Sequence, residues 1–188
     1  MSIASNINTV AGSGSDGQFL GHVAGAPAWI AAPSGSGSSF SAYLNNDATG
    51  VTGDGTTANL ICDTVFFDTA SSYNAGTGVY TAAATGHYFF GVNLMYNGTI
   101  GVNATGSIYL GNGGGINRQI YYGEPFKFAS SLNGYGLISA TIALPLTIGD
   151  TIQIFVAIYG NATPNINFVG YTGNSNQVSS LFYGFQIA

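Results

Sequence analysis

The stretch "YNAGTGVYTAAATGHYFFGVNLMY", Tyr73–Tyr96, decides the fold. It opens on Asn, Gly and Thr turn chemistry, passes through a short run at 78–82, and ends in a strand-length run at 86–97. Side chains alternate across a strand, so the last run sorts into two rows. Tyr88, Phe90, Val92, Leu94 and Tyr96 form one row, which reads as core. His87, Phe89, Asn93 and Met95 form the other. One apolar row suffices for a core, so the second, uncharged and aromatic, calls for a second partner.

Working outward, the texture from Ser39 onward repeats this pattern. Runs of strand character lie at 39–45, 58–68, 78–82, 86–97, 105–112, 117–126, 135–146, 150–160, 165–170 and 179–188, separated by Gly, Asn, Asp and Ser clusters. No helical period intervenes. Ten such runs predict an all-β, ten-stranded antiparallel sandwich of jelly-roll type. Residues 1–38 are different: "AGSGSDGQFLGHVAGAPAWIAAPSGSGSS" is rich in Gly, Ser, Ala and Pro, with Phe19, Leu20, Trp29 and Ile30 as its large apolar residues. That composition builds no core of its own, and it reads as an extended segment attached to one domain at 39–188.

Composition narrows the function. Charged residues are 5% of the chain, against roughly 25% in typical soluble proteins. The formal charge is −5, with Arg118 and Lys127 the only basic side chains, so nothing offers a footprint for a phosphate backbone. No apolar run reaches the ~18 residues of a membrane span. The start "MSIASNINTV" lacks the basic and apolar regions of a secretory signal, so the expectation is a chain made and folded in a cytoplasm. Cys62 stands alone, which excludes an intrachain disulfide and reads as a core residue.

Four runs show the two-row pattern. In "DTIQIFVAIYG", Ile152, Ile154, Val156 and Ile158 oppose Thr151, Gln153, Phe155, Ala157 and Tyr159. In "FSAYLN", Phe40, Ala42 and Leu44 oppose Tyr43. In "SLFYGFQIA", Leu181, Tyr183, Phe185 and Ile187 read as the core row against Phe182 and Gln186. The outward rows, depleted in charge and enriched in aromatics and Met, have the makeup of an interface centre. Tyr43, Phe89, Met95, Phe155, Tyr159 and Phe182 are therefore the expected contacts between copies of the chain. Each aromatic buried there removes on the order of 150 to 250 Å² from water, worth roughly 1.5 to 3 kcal/mol.

The segments "FSAY" at 40–43, "VFFD" at 65–68, "YNAGTGVYTA" at 73–82, "GHYFF" at 86–90, "LTIGDTI" at 146–152 and "FYGFQI" at 182–187 resemble the complement globular-head (C-one-q) domain, a branch of the tumour-necrosis-factor-like jelly rolls. The resemblance implies a compact homotrimer, with one sheet lining the three-fold axis and recognition by apical or lateral loops. Two departures stand out: Ala83 where the family usually has Pro, and no collagen stalk of Gly-X-Y triplets. In its place, "GSDGQFLGHVAGAPAWIA", Gly14–Ala31, resembles attachment segments of phage tail fibres and related virion fibres. Together these imply a virion structural protein: a trimeric fibre or spike head on the virion surface. Phe19, Leu20, Trp29 and Ile30 would hold it to a capsid, tail or neighbouring fibre protein, and its loops would bind a host surface glycan or protein. Asn161, Asn165, Asn167, Tyr171 and Asn174, in "GNATPNINFVGYTGNSNQ", are the loop candidates for that contact. The alternative is an exported adhesion or signalling ligand of the same fold.

Catalytic chemistry has little footing. "GSGSDG" at 12–17 fits a dinucleotide-loop template without the strand and helix that template needs. His87, Asp68 and a serine could be drawn as a triad, but no spacing favours it, and the expected role of His87 is structural. Asp150 after Gly149 reads as a turn residue. Asp47 and Asp54 flank "ATGVTG", an oxygen-rich loop and the one candidate for Ca²⁺; no other cofactor is expected. The Asn-x-Ser/Thr matches at Asn97, Asn103 and Asn161 matter only in a secretory pathway.

Overall fold

The computed structural model describes residues 18–23, 26–31, 37–98, 105–111, 117–123, 134–171 and 178–187. The chain divides into two units, Met1–Ser36 and Gly37–Ala188. In the first, β1 (Gln18–Val23) and β2 (Ala26–Ala31) pair as an antiparallel hairpin, with Phe19 opposite Ile30 and Leu20 opposite Trp29.

The second unit is an antiparallel β-sandwich. Its strands are β3 (Ser39–Tyr43), β4 (Ala48–Thr52), β5 (Ala58–Leu60), β6 (Thr64–Asp68), β7 (Tyr73–Asn74), β8 (Val79–Thr81), β9 (Gly86–Asn97), β10 (Gly106–Gly111), β11 (Asn117–Gly123), β12 (Tyr135–Leu146), β13 (Thr151–Ile158), β14 (Ile166–Phe168) and β15 (Leu181–Gln186). A six-stranded sheet runs β11-β10-β13-β8-β7, with β5 also paired to β13. A seven-stranded sheet runs β4-β14-β9-β15-β3-β6, with β12 paired along the full length of β9.

Each of the ten predicted runs contains a strand. The run at 58–68 breaks at residues 61–63, where the chain leaves the six-stranded sheet at β5 and joins the seven-stranded sheet at β6. Asp63 fixes that corner by accepting the Asn45 N–H at 2.7 Å. Turns carry the residues their geometry demands. Gly78 (φ 71°) closes the β7–β8 hairpin by donating its N–H to the Asn74 carbonyl at 2.8 Å. Asp150 takes the turn role read from sequence, accepting the Thr147 N–H at 2.7 Å beside Gly149.

Between the sheets lies a core dominated by rings. Phe40 stacks on Tyr73 and on Tyr80, with centroids 4.9 Å apart in each case, and meets Phe182 edge-on at 4.9 Å. Such pairs contribute roughly 0.5 to 1.5 kcal/mol beyond their burial. Buried phenols need partners. Tyr80 donates to Ser38 Oγ at 2.8 Å, Ser38 donates to Ser72 Oγ at 3.1 Å, and Tyr73 donates to the Cys62 carbonyl at 2.8 Å. Burial pushes Tyr80 up to about 12 and raises Tyr73 further. The Cys62 thiol, also buried, is pushed up to about 12 by desolvation, with the neighbouring Asp63 charge adding to it.

Candidate functional site: the outer face of the seven-stranded sheet

Register fixes what this face carries. Strands β6, β3, β15, β9 and β12 lie side by side, and their outward positions include Phe67, Tyr43, Leu181, Tyr183, Phe185, Phe89, Met95, Tyr135 and Leu137. Much of this surface is open: Phe66 is 56% exposed, Leu137 50%, Ile187 54% and Phe185 44%. Phe89 lies against Phe185 with centroids 5.3 Å apart, and Tyr43 against Phe66 at 4.4 Å. Over Gly91 sits the Tyr183 ring, in space that a Cβ would need. Strands β3, β9, β12 and β15 contain no Asp, Glu, Lys or Arg.

Area decides how unusual this is. Five strands at about 4.8 Å spacing and roughly 30 Å of length give a footprint on the order of 700 Å². The largest apolar patch on an ordinary monomer is about 300 to 600 Å², and a stable interface buries about 800 Å² per partner. The two margins of the face differ. On the β6 side, Tyr43, Phe66, Tyr171 and Val178 line a cleft of about 300 Å³. On the β12 side, a twelve-residue strand pairs, among the described residues, with β9 alone and presents Tyr135 and Leu137 at the same level.

The sequence-predicted contacts divide between places. Tyr43, Phe89 and Met95 lie on this face, partly exposed. Phe155 belongs to the opposite, six-stranded sheet and Tyr159 follows directly after the end of its strand, so neither lies on the face that carries the first three. Phe182 is a correction: it is fully buried among Phe40, Tyr73 and Phe90, and Leu181, Tyr183 and Phe185 point outward instead. Gly184 explains the inversion. It occupies the inward row because a Cβ there would meet Phe90 at 2.5 Å and Phe40 at 3.0 Å. Sequence reading missed Phe66, Phe67, Tyr135, Leu137 and Phe185, although the lack of charge on β12 was a usable signal.

Of the loop candidates, Asn161 and Asn165 bond to each other through their amides. The Asn167 side chain bridges the Asn97 side chain and the Gly50 N–H, both at 2.8 Å, so it ties β4, β9 and β14 together instead of offering itself to a partner. Tyr171 packs edge-on against Tyr43 at 6.0 Å. Asn174 and the side chains of Phe19, Leu20, Trp29 and Ile30 lie outside the described part of the structure.

The chemical candidates do not converge. Asp68 accepts the Tyr73 N–H at 2.7 Å and stands three strand spacings from β9, about 14 Å or more from His87. Asp47 accepts the Gly170 N–H at 2.8 Å. Asp54 accepts the Thr56 N–H at 3.0 Å, and the Thr56 backbone and hydroxyl hold its carboxyl below the usual range. Among the described residues no three His, Cys, Asp or Glu side chains come together as a metal site.

Solved structures place the architecture. The globular domain of zebrafish complement 1qA protein matches at 15% identity over 80% of this chain and 98% of its own, with a TM-score of 0.49. Murine APRIL matches at 9% identity over 80% of this chain and 99% of its own, with a TM-score of 0.51; a second murine APRIL structure gives 10% and 0.51. The fold is a jelly-roll sandwich like that of murine APRIL. At such identities the likeness carries the fold alone. No protein-family model matches the chain, and no curated protein sequence does. The segments that carry the resemblance fall on β3, β6, β7, β8, β9, β13 and β15.

Proposed function

We propose that the protein is a non-enzymatic, homotrimeric jelly-roll head that binds a surface receptor. One observation carries the proposal: the outer face of the seven-stranded sheet gathers exposed rings and aliphatic side chains with no Asp, Glu, Lys or Arg on β3, β9, β12 or β15, and among the described residues it runs to an edge, β12, broken only by Pro145. A lone sheet would guard such an edge with Lys, Glu or a bulge. The unlike margins support a head-to-tail contact, cleft side to edge side, which closes into a ring when the rotation allows. A trimer presents three copies of any receptor contact, so weak contacts sum as avidity. Sedimentation equilibrium tests this reading: a single species of three times the chain mass is expected, and a stable monomer at micromolar concentration overturns it.

In this reading the head is displayed on a virion surface. Residues 1–38 attach it to a capsid, tail or neighbouring fibre protein. What supports the placement is the sequence of Gly14–Ala31 alone. Antibody labelling of assembled particles tests it: signal on particles is expected, and signal only on free protein favours an exported adhesion or signalling ligand.

A further inference from the structure

The outer face of the six-stranded sheet is built for a different kind of partner. Across it, Gln119, Tyr109, Phe155 and Asn59 stand in register on β11, β10, β13 and β5. Two rings occupy the middle of the row and an amide ends it on either side. Gln153 stands two residues before Phe155 on β13, on the same face.

The amides are held in place from within. Gln119 Nε2 donates to Ser107 Oγ at 3.1 Å and to the Tyr109 hydroxyl at 3.4 Å. Asn59 Nδ2 donates to the Thr77 carbonyl at 3.2 Å and to Gln153 Oε1 at 3.4 Å. Each amide has a donor and an acceptor group. Among the described residues, the Gln119 and Asn59 oxygens and the Gln153 nitrogen therefore keep their capacity for an outside partner. Side chains already ordered lose little rotamer freedom on binding. Strands β5, β10 and β13 carry no Asp, Glu, His, Lys or Arg, and Arg118 pairs opposite Leu110, on the other parity.

We propose that this face binds a neutral glycan. Pyranose C–H faces would lie on the Tyr109 and Phe155 rings, whose strands set them about 5 Å apart at the backbone, near the repeat of a hexose chain. Sugar hydroxyls would bond to Gln119, Asn59 and Gln153, each hydroxyl matching an amide as donor or acceptor. Among the described residues, the outward row of β5, β10 and β13 offers a charged ligand no counter-charge. The inference rests on reading the chain as a binding head, names the class of its receptor, and moves the contact from the 160–177 loop to the sheet.

The test is native electrophoresis of the full chain in gels containing dextran, mannan, laminarin or galactan, with heparin as the anionic probe. At least one neutral polysaccharide is expected to retard the chain. Phe155→Ala and Tyr109→Ala should each lower the association constant about tenfold. Gln119→Ala and Gln153→Ala, at surface positions where folding is not at stake, should lower it roughly threefold. Sedimentation of all four variants should match the parent chain. Absence of retardation by every neutral polymer, retardation by heparin alone, or retardation unchanged in the two Gln variants overturns the proposal. A chain that sediments as a monomer yet is retarded by a neutral polymer would break the assembly reading and leave this one standing.

Discussion

On one side of the sandwich Phe89 rests against Phe185, and the next large side chains outward are Met95, Leu181 and Leu137. On the other, Phe155 has Tyr109 to one side and Asn59 to the other, with Gln119 and Gln153 close by. Both faces lack charge and both carry rings, so composition gives them the same description. They differ in where hydrogen-bonding capacity is kept. On the seven-stranded face the polar groups are scattered and partly spent on each other, as where Asn93 accepts from Ser139 at 2.6 Å, while Phe89, Phe185, Leu181 and Leu137 gather rings and aliphatic side chains. The six-stranded face keeps amides among its rings. A dry surface suits another copy of the protein, whereas a surface of rings and amides suits a partner made of C–H faces and hydroxyls.

The sharpest way to break this contrast is a charge placed on each face in turn. Leu137→Asp or Phe185→Asp should convert the proposed trimer to monomer in sedimentation, since each copy would bury an unpaired carboxylate at a cost of at least ~3 kcal/mol. Phe182→Ala tests the inverted parity of β15. As a core substitution it should lower unfolding stability by about 3 to 5 kcal/mol, read from the denaturant midpoint, and not act on assembly alone. Alkaline titration probes the core beneath both faces. Cys62, Tyr73 and Tyr80 all ionise at higher pH in the folded chain than in the unfolded one, so the unfolded chain releases its protons first. Their contribution to stability is full below the unfolded thiol range near ~8.5 and declines as pH rises beyond it, by up to ~1.4 kcal/mol per unit for each group. Chemical unfolding followed from pH 7 to pH 11 reads this slope. The smallest effect is expected from Phe155→Asp, which should leave the sedimenting species unchanged. Dissociation by that variant would mean that the six-stranded face, not the seven-stranded one, joins the copies.

Much of the sandwich was legible because its long strands alternate cleanly. On β9 every one of Tyr88, Phe90, Val92, Leu94 and Tyr96 is buried, and β13 behaves likewise with Ile152, Ile154, Val156 and Ile158. Alternation says nothing about which sheet a strand joins, so Phe155 was grouped with Phe89 although the two lie on different sheets. On β15 alternation itself misleads: the outward row is the more apolar, and the inward row contains a glycine that makes room for Phe90 and Phe40. The strands at 48–52 and 73–74 had no readable signal. "ATGVT" has a central Gly and only one large apolar residue, so no apolar row alternates along it, and a two-residue strand has no period at all.

Strand β12 has a consequence for how the protein must be made. Among the described residues its outer edge is unpaired and uncharged, with Pro145 as the one break in it, and such an edge is a template on which a stray extended chain can add a strand. While it is still alone, a newly released chain is therefore exposed to off-pathway polymerisation, at a rate that rises with concentration. Yield in recombinant expression should then be governed by how fast sister chains find one another, and dilute, slow synthesis should recover more native protein than a strong burst.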